Sequence, residues 1–244
     1  MKLGLLLCDH VNTSLINEHG DYADMFFDSL VSEQLRSEIL STPLEIVNYA
    51  VIDDEFPDAV EDCDAYLVTG SQHSVNDDYP WLKELYSLVK DIYQKNKPLI
   101  GICFGHQLIA AALGGKVEAS DKGWGVGASS CEVVTTHACM QQDEAATEVS
   151  LLYSHQDQIT RLPPETQVIM ANDFCQYAMI ESGERFLGIQ GHPEFSKAYS
   201  RALLELRRER LPETVHKRAI ESLNNELDSQ RVKQWILRYL EING

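Results

Sequence analysis

Pro98–Gly115 reads PLIGICFGHQLIAAALGG, and no other window restricts the fold so tightly. Leu99–Ile102 is an apolar run of strand length, and from Phe104 onward the pattern is an apolar helix that stops at Gly114-Gly115. Cys103 stands at the junction, with Gly101 and Gly105 two residues to either side. A chain that turns from strand to helix within one residue crowds its own backbone, so those neighbours must be small. The turn lifts the thiol clear of the strand and sets it at a helix N-terminus, where unpaired N–H groups favour negative charge. Taken alone, a buried cysteine beside a packing turn would also satisfy the window.

The chain before this window alternates strands and helices, the pattern of a mostly parallel sheet covered on both faces. Strands are expected at Lys2–Cys8, Leu44–Tyr49 and Ala65–Val68. Helices are expected at Asp21–Leu35 and at Pro80–Gln94, the second with Leu82, Leu85, Leu88, Val89 and Ile92 inward. Lys116–Val134 is glycine-rich and β-like; Leu151–Tyr153, Gln167–Ala171, Tyr177–Ile180 and Phe186–Ile189 continue as strands of a more mixed or antiparallel sheet. From Ser196 the sequence is helical, at Lys197–Arg210, Pro212–Leu227 and Ser229–Ile242, with Pro212 suited to a first helical turn. At 244 residues the expectation is one α/β domain over 1–195 and a helical C-terminal extension over 196–244 packed on it.

A second segment supplies what a reactive thiol needs. Arg185–Phe195 reads RFLGIQGHPEF, a strand that leaves through His192-Pro193-Glu194. One nitrogen of the imidazole can take the thiol proton while the carboxylate accepts from the other and fixes the tautomer. Alone, His-Pro-Glu would be a surface turn; with the cysteine elbow it forms a base and its orienter.

Gly-Ile-Cys-Phe-Gly-His-Gln followed far downstream by Gly-Ile-Gln-Gly-His-Pro-Glu resembles the triad-type class I glutamine amidotransferases. Within that family the motifs resemble those of the amidotransferase half of GMP synthase and its free-standing relatives. The likeness runs in order from Met1 to about Phe195. It implies a flavodoxin-like α/β fold with Cys103 as nucleophile, His192 as general base and then acid, and Glu194 as orienting carboxylate. No metal or organic cofactor is implied.

Acyl transfer on sulfur needs donors for the developing oxyanion. One is the N–H of Phe104; the other is expected from Gly70 or Ser71, in the turn after Ala65–Val68. The family carries Gly-Gly-Pro-x-Ser there, whereas this chain has Thr-Gly-Ser-Gln-His-Ser, so the choice between the two stays open. Gln107 lies one helical turn after Cys103 on the same side of the helix, placed to recognise the amino-acid end of glutamine, a role the resemblance supports. His106 beside it faces elsewhere and is read as structural. Ser154, His155 and Gln156 resemble the family segment that helps to hold the substrate's amino-acid end. Without the family, His155 and Asp157 would be a rival catalytic pair. Trp124 is read as packed, although it could roof the pocket; Arg207–Arg210 as a solvated helix face; Leu203, Leu204 and Leu206 as core.

The formal net charge of −18 repels phosphate backbones and anionic bilayers, which argues against nucleic-acid and membrane partners. The start, MKLGLLLCDHVNT, reads as a first strand rather than a signal peptide. Six scattered cysteines without a Cys-x-x-Cys pair read as free thiols of a cytoplasmic protein. Cys131, His137 and Cys139 lack a zinc spacing, and no metal site is expected. In the family, ammonia passes to a synthetase. This chain has neither a P-loop nor the nucleotide loop of an ATP pyrophosphatase, so a separate ammonia-accepting synthetase is the partner the resemblance implies. The expected reaction is hydrolysis of the glutamine side-chain amide through a cysteinyl thioester, with a small-molecule substrate. A γ-glutamyl peptidase acting on glutathione-like peptides is the alternative, and a non-catalytic binding protein on this fold the third reading.

Overall fold

In the computed structural model, residues 1–32, 39–141 and 146–244 are described. The strands are β1 (Lys2–Leu6), β2 (Glu45–Tyr49), β3 (Ala65–Val68), β4 (Leu99–Ile102), β5 (Lys116–Ala119), β6 (Gly125–Val133), β7 (Glu148–His155), β8 (Asp157–Arg161), β9 (Thr166–Ala171), β10 (Met179–Ser182) and β11 (Phe186–Ile189). The helices are α1 (Ile16–His19), α2 (Tyr22–Val31), α3 (Pro80–Gln94), α4 (Phe104–Ala112), α5 (Lys197–Leu206), α6 (Glu213–Ser222) and α7 (Ser229–Asn243).

A nine-stranded sheet runs in the order β2-β1-β3-β4-β11-β10-β9-β6-β7. Its first half, β2 to β11, is parallel, and the strands from β10 to β7 pair antiparallel. A separate ribbon joins β5 to β8. The parallel strands are apolar throughout because both faces are covered. Leu3 and Leu5, Ala65 and Leu67, Ile100 and Ile102, and Leu187 and Ile189 enter one core with α2, α5 and α7. Leu6, Tyr66 and Val68, Leu99, and Phe186 enter the other with α3 and α4.

Local chemistry sets the helix starts. Asp21 caps α2 in a reciprocal box with Asp24, Pro80 opens α3, and the Ser196 hydroxyl accepts from Tyr199 N–H at 3.0 Å to start α5. The expected helix Asp21–Leu35 is observed to Val31; Leu35 lies outside the described residues. The first two tail helices are shorter than expected: α5 ends at Leu206 and gives way to a 3₁₀ turn at Arg208–Arg210, and α6 ends at Ser222 with Pro212 as its cap, whereas α7 starts at Ser229 as expected and runs to Asn243. Leu203 and Leu204 are buried as expected, but Leu206 is 47% exposed. It is the last residue of α5, and two positions beyond buried Leu204 put it on the opposite side of the helix. Among the described residues, no helix is long and apolar enough to cross a membrane.

Candidate active site

Cys103 has φ 51° and ψ −98°, a conformation that L-residues avoid and that persists only where the surroundings enforce it. Its N–H donates to Ile189 O at 2.8 Å, and its carbonyl accepts from Gln107 N–H at 3.1 Å, so β11 and the first turn of α4 clamp it from both sides. The flanking glycines make the turn possible. A Cβ on Gly101 would run into the Gly105 carbonyl and lie 2.7 Å from His106 N; one on Gly105 would strike the Val68 carbonyl and lie 2.9 Å from Val68 Cβ.

His192 follows β11 after Gln190 and Gly191, and its N–H donates to Leu152 O at 2.8 Å, tying the turn to β7. The imidazole stacks on Phe195, with ring centroids 3.9 Å apart and planes 7° from parallel. Nδ1 hydrogen-bonds Glu194 Oε1 at 2.7 Å, and the ring lies close enough to Cys103 for the two to interact electrostatically. Burial by itself pushes the imidazole pKa down, but the Glu194 carboxylate and negative charge at Cys103 outweigh it and hold the pKa up at about 10. A Cβ on Gly70 would lie 3.0 Å from His192 Cε1 and 3.7 Å from Cys103 Cβ, which puts the turn after β3 against both groups.

Cys103 opens onto a cavity of about 180 Å³ whose walls include Ser71, Phe104, Gln107, Ser154, His155 and Gln156. The residues singled out in the sequence therefore converge, with Gly70 just behind Ser71. Gln107 spends its amide nitrogen inward, donating to Asp157 O at 2.7 Å and to Gln190 Oε1 at 3.0 Å, so only its carbonyl remains for a ligand. The rival pair does not form. The His155 ring bonds the Asp157 backbone carbonyl at 2.9 Å, while the Asp157 carboxylate accepts from Ser74 Oγ at 2.6 Å. Burial pushes His155 down to about 4 and His106, in the core behind the elbow, down to about 3, so both rings are neutral at neutral pH.

Other groups emerge only in three dimensions. Arg207 is not part of a solvated face: its guanidinium donates to Ser154 Oγ at 2.7 Å, and with Arg210 it lines the cavity. The bend into the 3₁₀ turn brings Arg207 to half-burial at the site, while Arg208, Glu209 and Arg210 stay exposed, Arg210 at the cavity's edge. Trp124, half-buried, is a wall of the cavity. Asp9 holds the turn after β3, accepting from Gln72 N–H at 2.8 Å, and Thr69 Oγ1 accepts from Cys8 N–H at 3.0 Å. Nothing in the spacing of Asp9 or Arg207 announced these contacts. Phe195 stood in the His-Pro-Glu-Phe string but had no assigned role. Cys131 and Cys139 do not share a site: Cys131 meets Tyr153 at 3.2 Å, whereas Cys139 meets His137 at 3.1 Å. All six cysteines are buried and unbridged.

A thiol on the wall of a cavity, backed by an imidazole and a carboxylate, can carry acyl transfer on sulfur. On a doubly covered α/β sheet, this arrangement narrows the class of protein sharply. The family model "Glutamine amidotransferase class-I" matches residues 21–206, and the chain belongs to that family. Gamma-glutamyl peptidase 4 of Arabidopsis thaliana is 31% identical over 155 residues, 62% of this chain and 62% of that relative, so the matched part is less than two thirds of its length. A putative glutamine amidotransferase-like protein of Schizosaccharomyces pombe is 28% identical over 248 residues, covering 98% of both chains. Among solved structures, a glutamine amidotransferase from Thermotoga maritima superposes with a TM-score of 0.72 over 98% of this chain and 95% of its own, at 19% identity, a likeness of fold.

Proposed function

We propose that the chain hydrolyses the γ-glutamyl C–N bond of glutamine, giving glutamate and ammonia through a thioester on Cys103. The observation that carries this is the His192 ring, hydrogen-bonded to Glu194 and set close against Cys103, whose thiol lines the cavity. The Cys103 thiolate adds to the side-chain carbonyl. The oxyanion is received by the N–H of Phe104 and that of Gly70 or Ser71. As the C–N bond breaks, His192 gives its proton to the departing nitrogen. It then takes a proton from water, which adds to the thioester and frees the thiol. The Gln107 carbonyl accepts from the substrate's ammonium, and Arg207, backed by Ser154, meets its carboxylate; His155 and Gln156 close that end. A separate synthetase receives the ammonia, and six unbridged thiols support a cytoplasmic setting. The test is ammonia release from glutamine by the purified chain and by Cys103→Ala. Release is expected from the first and not from the second, and equal release would overturn the assignment.

A second reading takes γ-glutamyl peptides as substrates. It is favoured by a further cavity beside the first, which shares Trp124 and His155 with it, and by the names of the plant relatives. The same triad serves, with a peptide amine in place of ammonia.

A further inference from the structure

The cavity at Cys103, about 180 Å³, is small beside the ~300–1,000 Å³ of common ligand pockets. Across Trp124 and His155 lies a second cavity of about 290 Å³, and the two joined come within that range. The second space is not remote from the thiol. Cys175 lines it, and the Cys175 thiol, pushed up to about 12 chiefly by burial, also feels charge at Cys103.

The lining of this space is selective. Val126, Ala128, Tyr153 and Phe174 make it largely apolar. Several of its polar groups are already paired within the protein. The Asn172 amide donates to Ser130 O at 2.8 Å and its carbonyl accepts from Cys175 N–H at 2.7 Å, while Ser222 Oγ donates to Ala219 O at 2.7 Å. Among the described residues, His155 and Arg218 each present a group to the cavity that meets no protein partner. His155 Nε2 is buried without a hydrogen-bond partner. Because Nδ1–H donates to the Asp157 carbonyl, Nε2 carries the lone pair and can only accept. Arg218, on α6 at the rim, meets no carboxylate among the described residues, although the chain as a whole is strongly acidic. An acceptor near the thiol, an apolar middle and a cation at the far rim describe a ligand with an N–H at one end, an apolar body and a carboxylate at the other.

We propose that this second cavity is the subsite for the amine half of a γ-glutamyl amide, and that Arg218 selects amines that are apolar and end in a carboxylate. The subsite rests on the γ-glutamyl reading of Cys103 given above and adds the class of leaving group. In the bound substrate the γ-glutamyl half occupies the first cavity, and the scissile nitrogen sits at the Trp124–His155 boundary. The apolar side chain then lies against Phe174, and the terminal carboxylate takes a charge-assisted hydrogen bond from Arg218.

The full-length protein is assayed with glutamine, γ-glutamyl-phenylalanine, its C-terminally amidated twin, and γ-glutamyl-glycine. The free acid should exceed its amidated twin in kcat/KM by about tenfold or more, the scale of one charged hydrogen bond. It should also exceed γ-glutamyl-glycine. In Arg218→Ala the ratio of acid to amidated twin should collapse toward one, and Arg218→Lys should restore part of it. The same preference is read without turnover by calorimetric titration of Cys103→Ala with the acid and the amidated twin, with and without Arg218→Ala. A ratio near one in the wild-type protein, or a ratio unmoved by Arg218→Ala, overturns the subsite whatever the activity on glutamine. A carboxylate preference in binding with no hydrolysis of any substrate overturns the catalytic reading and keeps the subsite. Absence of both overturns both.

Discussion

A cysteine at φ 51° costs about 1–3 kcal/mol of backbone strain, which the fold sustains by removing every competing atom around it. Gly101 and Gly105 do this by lacking side chains. Gly105→Ala would drive a methyl into the Val68 carbonyl, inside the parallel part of the sheet where neither strand nor helix can yield. Urea unfolding should register a loss of about 2–4 kcal/mol for this variant, together with loss of turnover. Electrostatics govern the partner residue. Burial alone would lower the pKa of the His192 imidazole; Glu194 and Cys103 reverse the sign and hold it at about 10. The stability this pair contributes is fully present below the unfolded pKa of 6.5 and is lost as pH rises through about 10. Glu194→Gln removes the largest raising influence and returns the ring to the control of burial. Its kcat/KM at pH 7 should fall by about 10²–10⁴-fold, and alkylation of Cys103 at that pH should slow in parallel. Unchanged alkylation would mean that the carboxylate does not set the charge of the ring.

Elements place these residues by what they bury. The elbow stands where it does because β3, β4 and β11 are apolar on both faces and align their C-terminal ends, which makes one edge of the sheet the common exit for Gly70, Cys103 and His192. The helices after Ser196 belong to the same core. Trp235 of α7 is fully buried, and α6 lies so close to β6 that a Cβ on Gly127 would strike Ser222 Oγ and lie 2.8 Å from Ala219 Cα. We propose that residues 196–244 are an extension that folds only with the sheet, and that it supplies cations to the site from the turn after α5 and from α6. Trp235→Ala should cost about 3–5 kcal/mol by chemical denaturation and leave one cooperative transition rather than two. A separate early transition would mean that the tail is an independent unit.

At the scale of the molecule, acid should unfold this protein through its histidines as well as its carboxylates. His106 and His155 are buried and neutral, with pKa values near 3 and 4 against 6.5 when unfolded. Between those values the unfolded chain binds the additional protons, so stability falls as pH drops from about 6.5 toward 4, each ring contributing up to about 1.4 kcal/mol per pH unit. The urea midpoint should therefore decline across that window, and His106→Gln, which removes one of the two groups, should show a shallower decline. A slope unchanged by His106→Gln would assign the acid loss to carboxylates alone.

Much of the architecture was legible because it is written in local periodicity. A strand buried on both faces must be an unbroken apolar run, which is why Ala65–Val68, Leu99–Ile102 and Phe186–Ile189 declared themselves, and a one-residue strand-to-helix turn must be flanked by glycine. β8 was missed because a ribbon strand outside the main sheet, with polar Asp157 and Gln158 at its start, carries no such run. Leu206 was misread because leucines two positions apart fall on opposite sides of a helix. The sequence by itself determined the elbow, the His-Pro-Glu turn and the order of the layers, since each follows from sterics and burial within a few residues. Only the tertiary structure decided that Asp9 anchors the turn after β3, that Arg207 leaves the solvent for Ser154, and that a second cavity rimmed by Arg218 adjoins the first. Those contacts join segments that are far apart in the chain, and their energies depend on distances that exist only after the sheet has closed.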